Sequence, residues 1–122
     1  MHILTLNNIS ALGLQRLPAN RYQTETEIDK PDAILLRSHN MHDLDVPDSV
    51  KAIGRAGVGT NNIPVAKMSQ RGVPVFNTPG ANANAVKELV LAGMLIAARN
   101  LNGAVRFVET LEGSDVEIDR IV

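Results

Sequence analysis

Cysteine is absent from the 122 residues, which excludes disulfides and thiolate metal sites outright. A chain of this kind fits a reducing compartment. Tryptophan is absent too, and aromatic residues make up only 2%, so any core must be built from Leu, Ile, Val, Ala and Met. Neither sign of charge is in excess: 12 basic residues face 13 acidic ones, for a net charge of −1. No basic stripe stands out, which argues against nucleic acid as a partner. Long apolar runs are missing as well. The longest, residues 89–98, is about half of the ~20 residues that cross a bilayer. The first six residues, Met1-His2-Ile3-Leu4-Thr5-Leu6, lack the basic start and apolar stretch of a signal peptide. A soluble cytoplasmic protein with no membrane partner is the expectation.

What is present is one domain's length of chain with 44% hydrophobic residues, enough for a core. Short apolar runs alternate with helical patterns, the signature of an α/β layer fold. Strands are predicted at residues 3–6, at 22–28 as a half-exposed edge, at 33–36 as a run buried on both faces of a parallel sheet, at 50–56, and at 73–76. A short amphipathic turn through Leu12, Leu14 and Leu17 is stopped by Pro18. A second helix is predicted from Pro64, where the missing N–H costs nothing, to Arg71, with Gly72 as its left-handed cap. The longest helix is predicted at residues 84–100, with Gly103 just past its end. Its apolar residues fall on all sides, Val86, Leu89, Val90 and Met94 on one stripe and Leu91, Leu95 and Ile96 opposite. Such a helix calls for burial all round, against a second domain or a second copy. Residues 104–122 are charged and weakly helical.

Three segments carry candidate chemistry. Gly54-Arg55-Ala56-Gly57-Val58-Gly59-Thr60-Asn61-Asn62 follows a strand and precedes a helix, as a dinucleotide fingerprint would. Asn62 stands where the third glycine belongs, and no acidic residue follows until Glu88, so dinucleotide binding by this loop is not expected. The loop either offers its backbone N–H groups to an anion or uses its glycines for a tight turn alone. Arg37 closes a buried strand, and ligands of open parallel sheets sit beyond the strands' carboxyl ends. Arg37 and Arg55 therefore either clamp a carboxylate or phosphate, or Arg37 pairs on the surface with Asp43 or Asp45. His39 and His42 have acidic neighbours but no third-ligand pattern, and no metal is expected.

Ile34-Leu35-Leu36-Arg37-Ser38, the Gly54-to-Asn62 loop, Gly72-Val73-Pro74-Val75-Phe76-Asn77-Thr78-Pro79 and Val86-Lys87-Glu88-Leu89 occur in a familiar order. Over residues 1–100 the chain resembles the amino-terminal substrate-binding part of the D-2-hydroxyacid dehydrogenases, leaning toward the members that oxidise 3-phosphoglycerate. The resemblance implies a flavodoxin-like parallel sheet flanked by helices. A long helix then links it to an NAD-binding Rossmann domain, toward which residues 101–122 would lead. It further implies that Arg37, Ser38 and Arg55 hold an anionic substrate. The Val58-Gly59 amides would meet its carboxylate, Val58 would border the nicotinamide of NAD, and Asn82 would face the same cleft. Val58 departs from the threonine common in such members, and Asn61 from aspartate.

The family's catalytic histidine, its partner glutamate, its carboxylate-binding arginine and its true glycine fingerprint match nothing in this sequence. The resemblance thus implies the substrate-binding portion of an NAD-dependent dehydrogenase converting 3-phosphoglycerate to 3-phosphohydroxypyruvate for serine biosynthesis, inactive by itself. Independently of the resemblance, the apolar surface of helix 84–100 leads to the expectation of a homodimer through that helix. The alternative is a stand-alone flavodoxin-like module for ligand binding or dimerisation. A phospho-receiver is disfavoured, because Asn7-Asn8 and Arg37-Ser38 occupy the places of its acidic residues.

Overall fold

The computed structural model describes residues 1–111 and residue 120. Five strands, β1 (His2–Leu6), β2 (Gln23–Glu25), β3 (Ala33–Leu36), β4 (Ala52–Arg55) and β5 (Val75–Phe76), pair in parallel in the order β2-β1-β3-β4-β5. This is the flavodoxin-like order. The helices are α1 (Ala11–Leu14), α2 (Val65–Gln70), α3 (Ala83–Ala98) and α4 (Leu101–Glu109). The chain divides into two compact units, Met1–Asn82 and Ala83–Val122, and the sheet lies wholly in the first.

The pleat of β3 decides where the core forms, because alternate side chains leave opposite faces. Ile34 and Leu36 are fully buried and meet Met41, Val46, Val50, Ile53, Ile63, Met68 and Val73 on one face. Leu4, Leu6, Leu44 and Val75 pack around that cluster. Ala33 and Leu35 leave the other face and are only half-buried. The expected burial of β3 on both faces is therefore met on one face only. The strands at 22–28, 50–56 and 73–76 also come out shorter than expected. β2 and β5 are edge strands, and each ladder extends only as far as its partner does.

The amino ends of three strands converge on Asp32. Its N–H donates to the His2 carbonyl (2.8 Å) and its own carbonyl accepts from the Lys51 N–H (2.8 Å). Its carboxylate accepts from the His2 N–H (2.9 Å) and pairs with Lys51 Nζ (2.7 Å). The Lys51 and His2 hydrogen bonds lower the Asp32 pKa from its ordinary 3.8 to about 2.

Helix α2 ends as expected. Gly72 takes φ +71, its N–H donates to the Ser69 carbonyl (3.0 Å), and the Val73 N–H reaches the Met68 carbonyl (2.9 Å). These two bonds make a Schellman cap. Arg71 then donates to the carbonyls of Val46 (2.8 Å) and Pro47 (3.1 Å), fastening α2 to the β3–β4 connection.

In the second unit, α3 has no buried residue, and Leu89, Leu91, Met94 and Leu95 are all exposed. The helix ends at Ala98, close to the expected end at Asn100. Asn100 breaks it in the left-handed conformation (φ 48), and α4 starts at once, with Gly103 inside it. The expected weak helix over residues 104–122 is realised to Glu109, and the part over 112–119 and 121–122 lies outside the described residues. Among the described residues no helix is long and apolar enough to cross a membrane.

Candidate functional site

Because the sheet is parallel, the carboxyl ends of neighbouring strands open on the same side. Strand β3 delivers Arg37 and Ser38 there, and β4 delivers Arg55 and the loop through Ala56, Gly57 and Val58. The turn after β5 brings Thr78, Ala81 and Asn82. Together these residues line a cleft of about 600 Å³ within the first unit. The volume is ample for a small-molecule ligand.

Arg55 is the half-buried member of the pair of arginines. Its Nε donates to the Arg37 carbonyl (3.1 Å), so one edge of the guanidinium braces the neighbouring strand end. The rest lies across Gly57: a Cβ at that position would stand 2.6 Å from Nη1 and 3.0 Å from Cζ. Gly57 has an ordinary φ, so its lack of a side chain serves the close approach of Arg55 rather than a turn. Among the described residues, the Nη groups of Arg55 and the whole guanidinium of Arg37 have no acceptor. The surface pair of Arg37 with Asp43 or Asp45 is thus not formed. Asp43 instead accepts from Asn40 Nδ2 (3.4 Å). Among the described residues no carboxylate lines the cleft to compensate the two positive charges at its wall.

The glycine loop is held by its carbonyls. Gly57 O accepts from the Thr78 N–H (3.0 Å) and Val58 O from Asn77 Nδ2 (2.8 Å). The amides of Ala56 and Gly57 are used locally, by Leu36 O (2.8 Å) and Arg55 O (3.0 Å). Those of Val58 and Gly59 have no acceptor among the described residues. Successive free N–H groups beside two guanidinium groups suit an anion.

Arg37, Ser38, Arg55, Val58 and Asn82 are thus brought to one cleft, while Gly59 stands beside its lining, where an added Cβ would lie 3.7 Å from Arg55 Nη1. His42 is elsewhere, its Nε2 donating to the Asn61 carbonyl (2.9 Å). No cluster of metal-ligating side chains occurs among the described residues. The loop also does not fit the pyrophosphate of a dinucleotide. Gly57 is covered by Arg55, and the loop does not run directly into a helix, since α2 opens only at Val65 with Pro64 as its cap. Asn62, Asn77 and Thr78 shape the site without having been singled out from sequence.

Residues 6–115 match the family described as D-isomer specific 2-hydroxyacid dehydrogenase, catalytic domain. The chain belongs to this family. Among its relatives, the D-3-phosphoglycerate dehydrogenase of Archaeoglobus fulgidus is 40% identical over 93 residues, 74% of this chain and 18% of the relative. An erythronate-4-phosphate dehydrogenase of a Shewanella species is 35% identical over 100 residues, 79% of this chain and 26% of the relative. The chain therefore spans between a fifth and about a quarter of the length of these D-2-hydroxyacid dehydrogenases. The fold agrees with that of the NAD+-bound 3-phosphoglycerate dehydrogenase of Entamoeba histolytica. There the TM-score is 0.61 at 24% identity, covering 79% of this chain and 38% of the other.

Proposed function

We propose that this chain is the substrate-binding part of an NAD-dependent D-2-hydroxyacid dehydrogenase whose substrate is 3-phosphoglycerate. One observation carries the reading: three adjacent strand ends bring the guanidinium groups of Arg37 and Arg55 to one cleft, with the Val58 amide in its lining and the Gly59 amide beside it, and among the described residues neither amide has an acceptor. In this reading the Val58 and Gly59 amides hold the carboxylate, Arg37 and Arg55 hold the phosphate, and Ser38 and Asn82 hydrogen-bond at the rim. Two anion-binding groups select an acid with a second negative charge over a plain hydroxy acid. The relatives from Archaeoglobus and Shewanella both carry the name of a phosphorylated acid, which supports the same choice.

Oxidation of the hydroxyl removes a hydride to NAD and a proton to a base. Among the described residues no imidazole or carboxylate lines the cleft, and in this reading the chain binds the substrate without turning it over. NAD is held by other parts of the full protein, with Val58 bordering its nicotinamide. The full protein acts in the cytoplasm, in the phosphorylated route to serine. It pairs as a homodimer through the exposed apolar residues of α3.

The test is a titration of the chain with 3-phosphoglycerate, erythronate 4-phosphate and D-lactate, followed by amide chemical shifts, with an NADH assay in parallel. The expected result is saturable shifts at residues 55–59 with 3-phosphoglycerate, weaker ones with D-lactate, and no NADH. Tighter binding of erythronate 4-phosphate would move the substrate to that acid. NADH formation would overturn the inactivity, and no shift with any of the three would overturn the binding role.

A further inference from the structure

The Arg37 carbonyl receives a second donor besides Arg55. Asn62, at the far end of the glycine loop, sends its Nδ2 to the His39 carbonyl at 2.7 Å and, more distantly, to the Arg37 carbonyl at 3.4 Å. Its backbone carbonyl accepts from the Met41 N–H (2.8 Å), and Met41 is fully buried in the core. Residues 37–41 are thus stitched to Asn62 at three points. Arg71 grips the same β3–β4 connection farther along, at Val46 and Pro47, so its first residues are held by the side chains of Arg55, at Arg37 alone, and of Asn62, which reaches on to His39.

A second observation concerns the other half of the same amide. Asn62 Oδ1 is buried and has no partner among the described residues. A buried acceptor left unpaired destabilises the fold. A position chosen for stability alone would favour a side chain without that oxygen. What asparagine supplies here, and an apolar residue cannot, is a short forked donor reaching two carbonyls at once.

We propose that Asn62 is a positioning residue of the anion cleft: its side-chain amide fixes the backbone of Arg37 to His39 so that the Arg37 guanidinium stands beside that of Arg55. The inference rests on the substrate-binding reading of this cleft. It assigns Asn62 no contact with the substrate. Its effect passes through the carbonyls it holds, and it sets the spacing of the two arginines and hence the fit to a dianionic acid. The preference for 3-phosphoglycerate over D-lactate, which has no second anion, is what Asn62 controls.

The experiment compares the full chain with Asn62→Leu, which keeps the bulk and removes the donors, and with Asn62→His, whose ring N–H restores one. Affinities for 3-phosphoglycerate and for D-lactate are read by amide-shift titration, and hydrogen exchange is followed at the buried Met41 amide, which donates to the Asn62 carbonyl. The expected result for Asn62→Leu is at least tenfold weaker 3-phosphoglycerate binding, D-lactate affinity within twofold of the parent, and Met41 exchange at least tenfold faster. Asn62→His should recover part of both losses. Equal weakening of both ligands, or none, would overturn the proposal.

If the parent chain binds neither acid, the substrate reading fails on its own, and Met41 exchange decides the rest. Unchanged exchange in Asn62→Leu would then overturn the positioning role, and faster exchange would uphold it. Should Asn62→Leu not fold, the parent chain is read directly through the Asn62 side-chain NH2 signals. They should shift on adding 3-phosphoglycerate and not on adding D-lactate, and signals indifferent to both would overturn the proposal.

Discussion

Arg55 Nε donates to the carbonyl of Arg37 across 3.1 Å, so the side chain of one strand end holds the backbone of the next. Both guanidinium groups line one cleft, and among the described residues neither Arg37 nor the Nη groups of Arg55 have an acceptor. In the proposed reading an anion fills that place. Replacing Arg55 with leucine should remove charged hydrogen bonds worth roughly 1.5–3 kcal/mol. By that figure, 3-phosphoglycerate should bind about 10- to 100-fold more weakly. Arg55→Lys should fall between, because an ammonium cannot serve both the carbonyl and the ligand with a planar fork. Isothermal titration at fixed salt measures both.

Gly57→Ala separates space from backbone strain. The added Cβ would lie 2.6 Å from Arg55 Nη1, so the guanidinium must swing away, while the backbone already has a φ that alanine accepts. Stability should change by less than about 1 kcal/mol, since alanine also restricts the unfolded chain. Ligand affinity should fall about as far as in Arg55→Leu. A variant that binds as well as the parent would show that Arg55 can work from another rotamer.

Asp32 makes stability depend on acid in a defined window. Its folded pKa of about 2 lies below its ordinary 3.8. The unfolded chain therefore takes up the proton first as pH falls. The stabilisation is complete above about pH 4 and disappears as pH passes down through about 2. Asp32→Asn should lower the urea midpoint at pH 6, and the gap between the two proteins should close toward pH 2. Parallel curves over that range would show that the Lys51 and His2 contacts are not felt in solution.

Ile34 is fully buried at the centre of the core cluster. Ile34→Ala should destabilise the first unit by about 2–5 kcal/mol, the range for truncating a core aliphatic residue. Chemical denaturation of the two proteins side by side gives the difference.

The apolar residues of α3 should associate between copies. Light scattering of the chain over a range of concentration should show a mass rising toward a dimer, and Leu91→Glu with Leu95→Glu should hold it at the monomer mass. A parent chain that stays monomeric at high concentration would exclude this face as the contact.

The strands and the two arginines could be read from sequence because their signals are local. Ala33-Ile34-Leu35-Leu36 is an apolar run closed by Arg37, and a parallel sheet places every such closure on one side. Asn62 was passed over because its meaning depends on carbonyls 23 and 25 residues away, which no local pattern encodes. The end of α3 near Asn100 agrees with the sequence pattern, but the second helix that starts at once does not show in it: Gly103, expected beyond the helix end, lies inside α4, where the Asn100 side chain occupies the space its missing Cβ would fill.

Since all five strands point one way, the first unit is polarised along its own grain. The knot at Asp32 gathers the beginnings of β1, β3 and β4, and the cleft gathers the finishes of β3, β4 and β5. Four residues of strand, roughly 13 Å at the usual rise, keep the two apart. Lys30, exposed just ahead of β3, is consequently a sound anchoring point for a fluorophore or a sensor chip, leaving the opposite rim free to sample ligand.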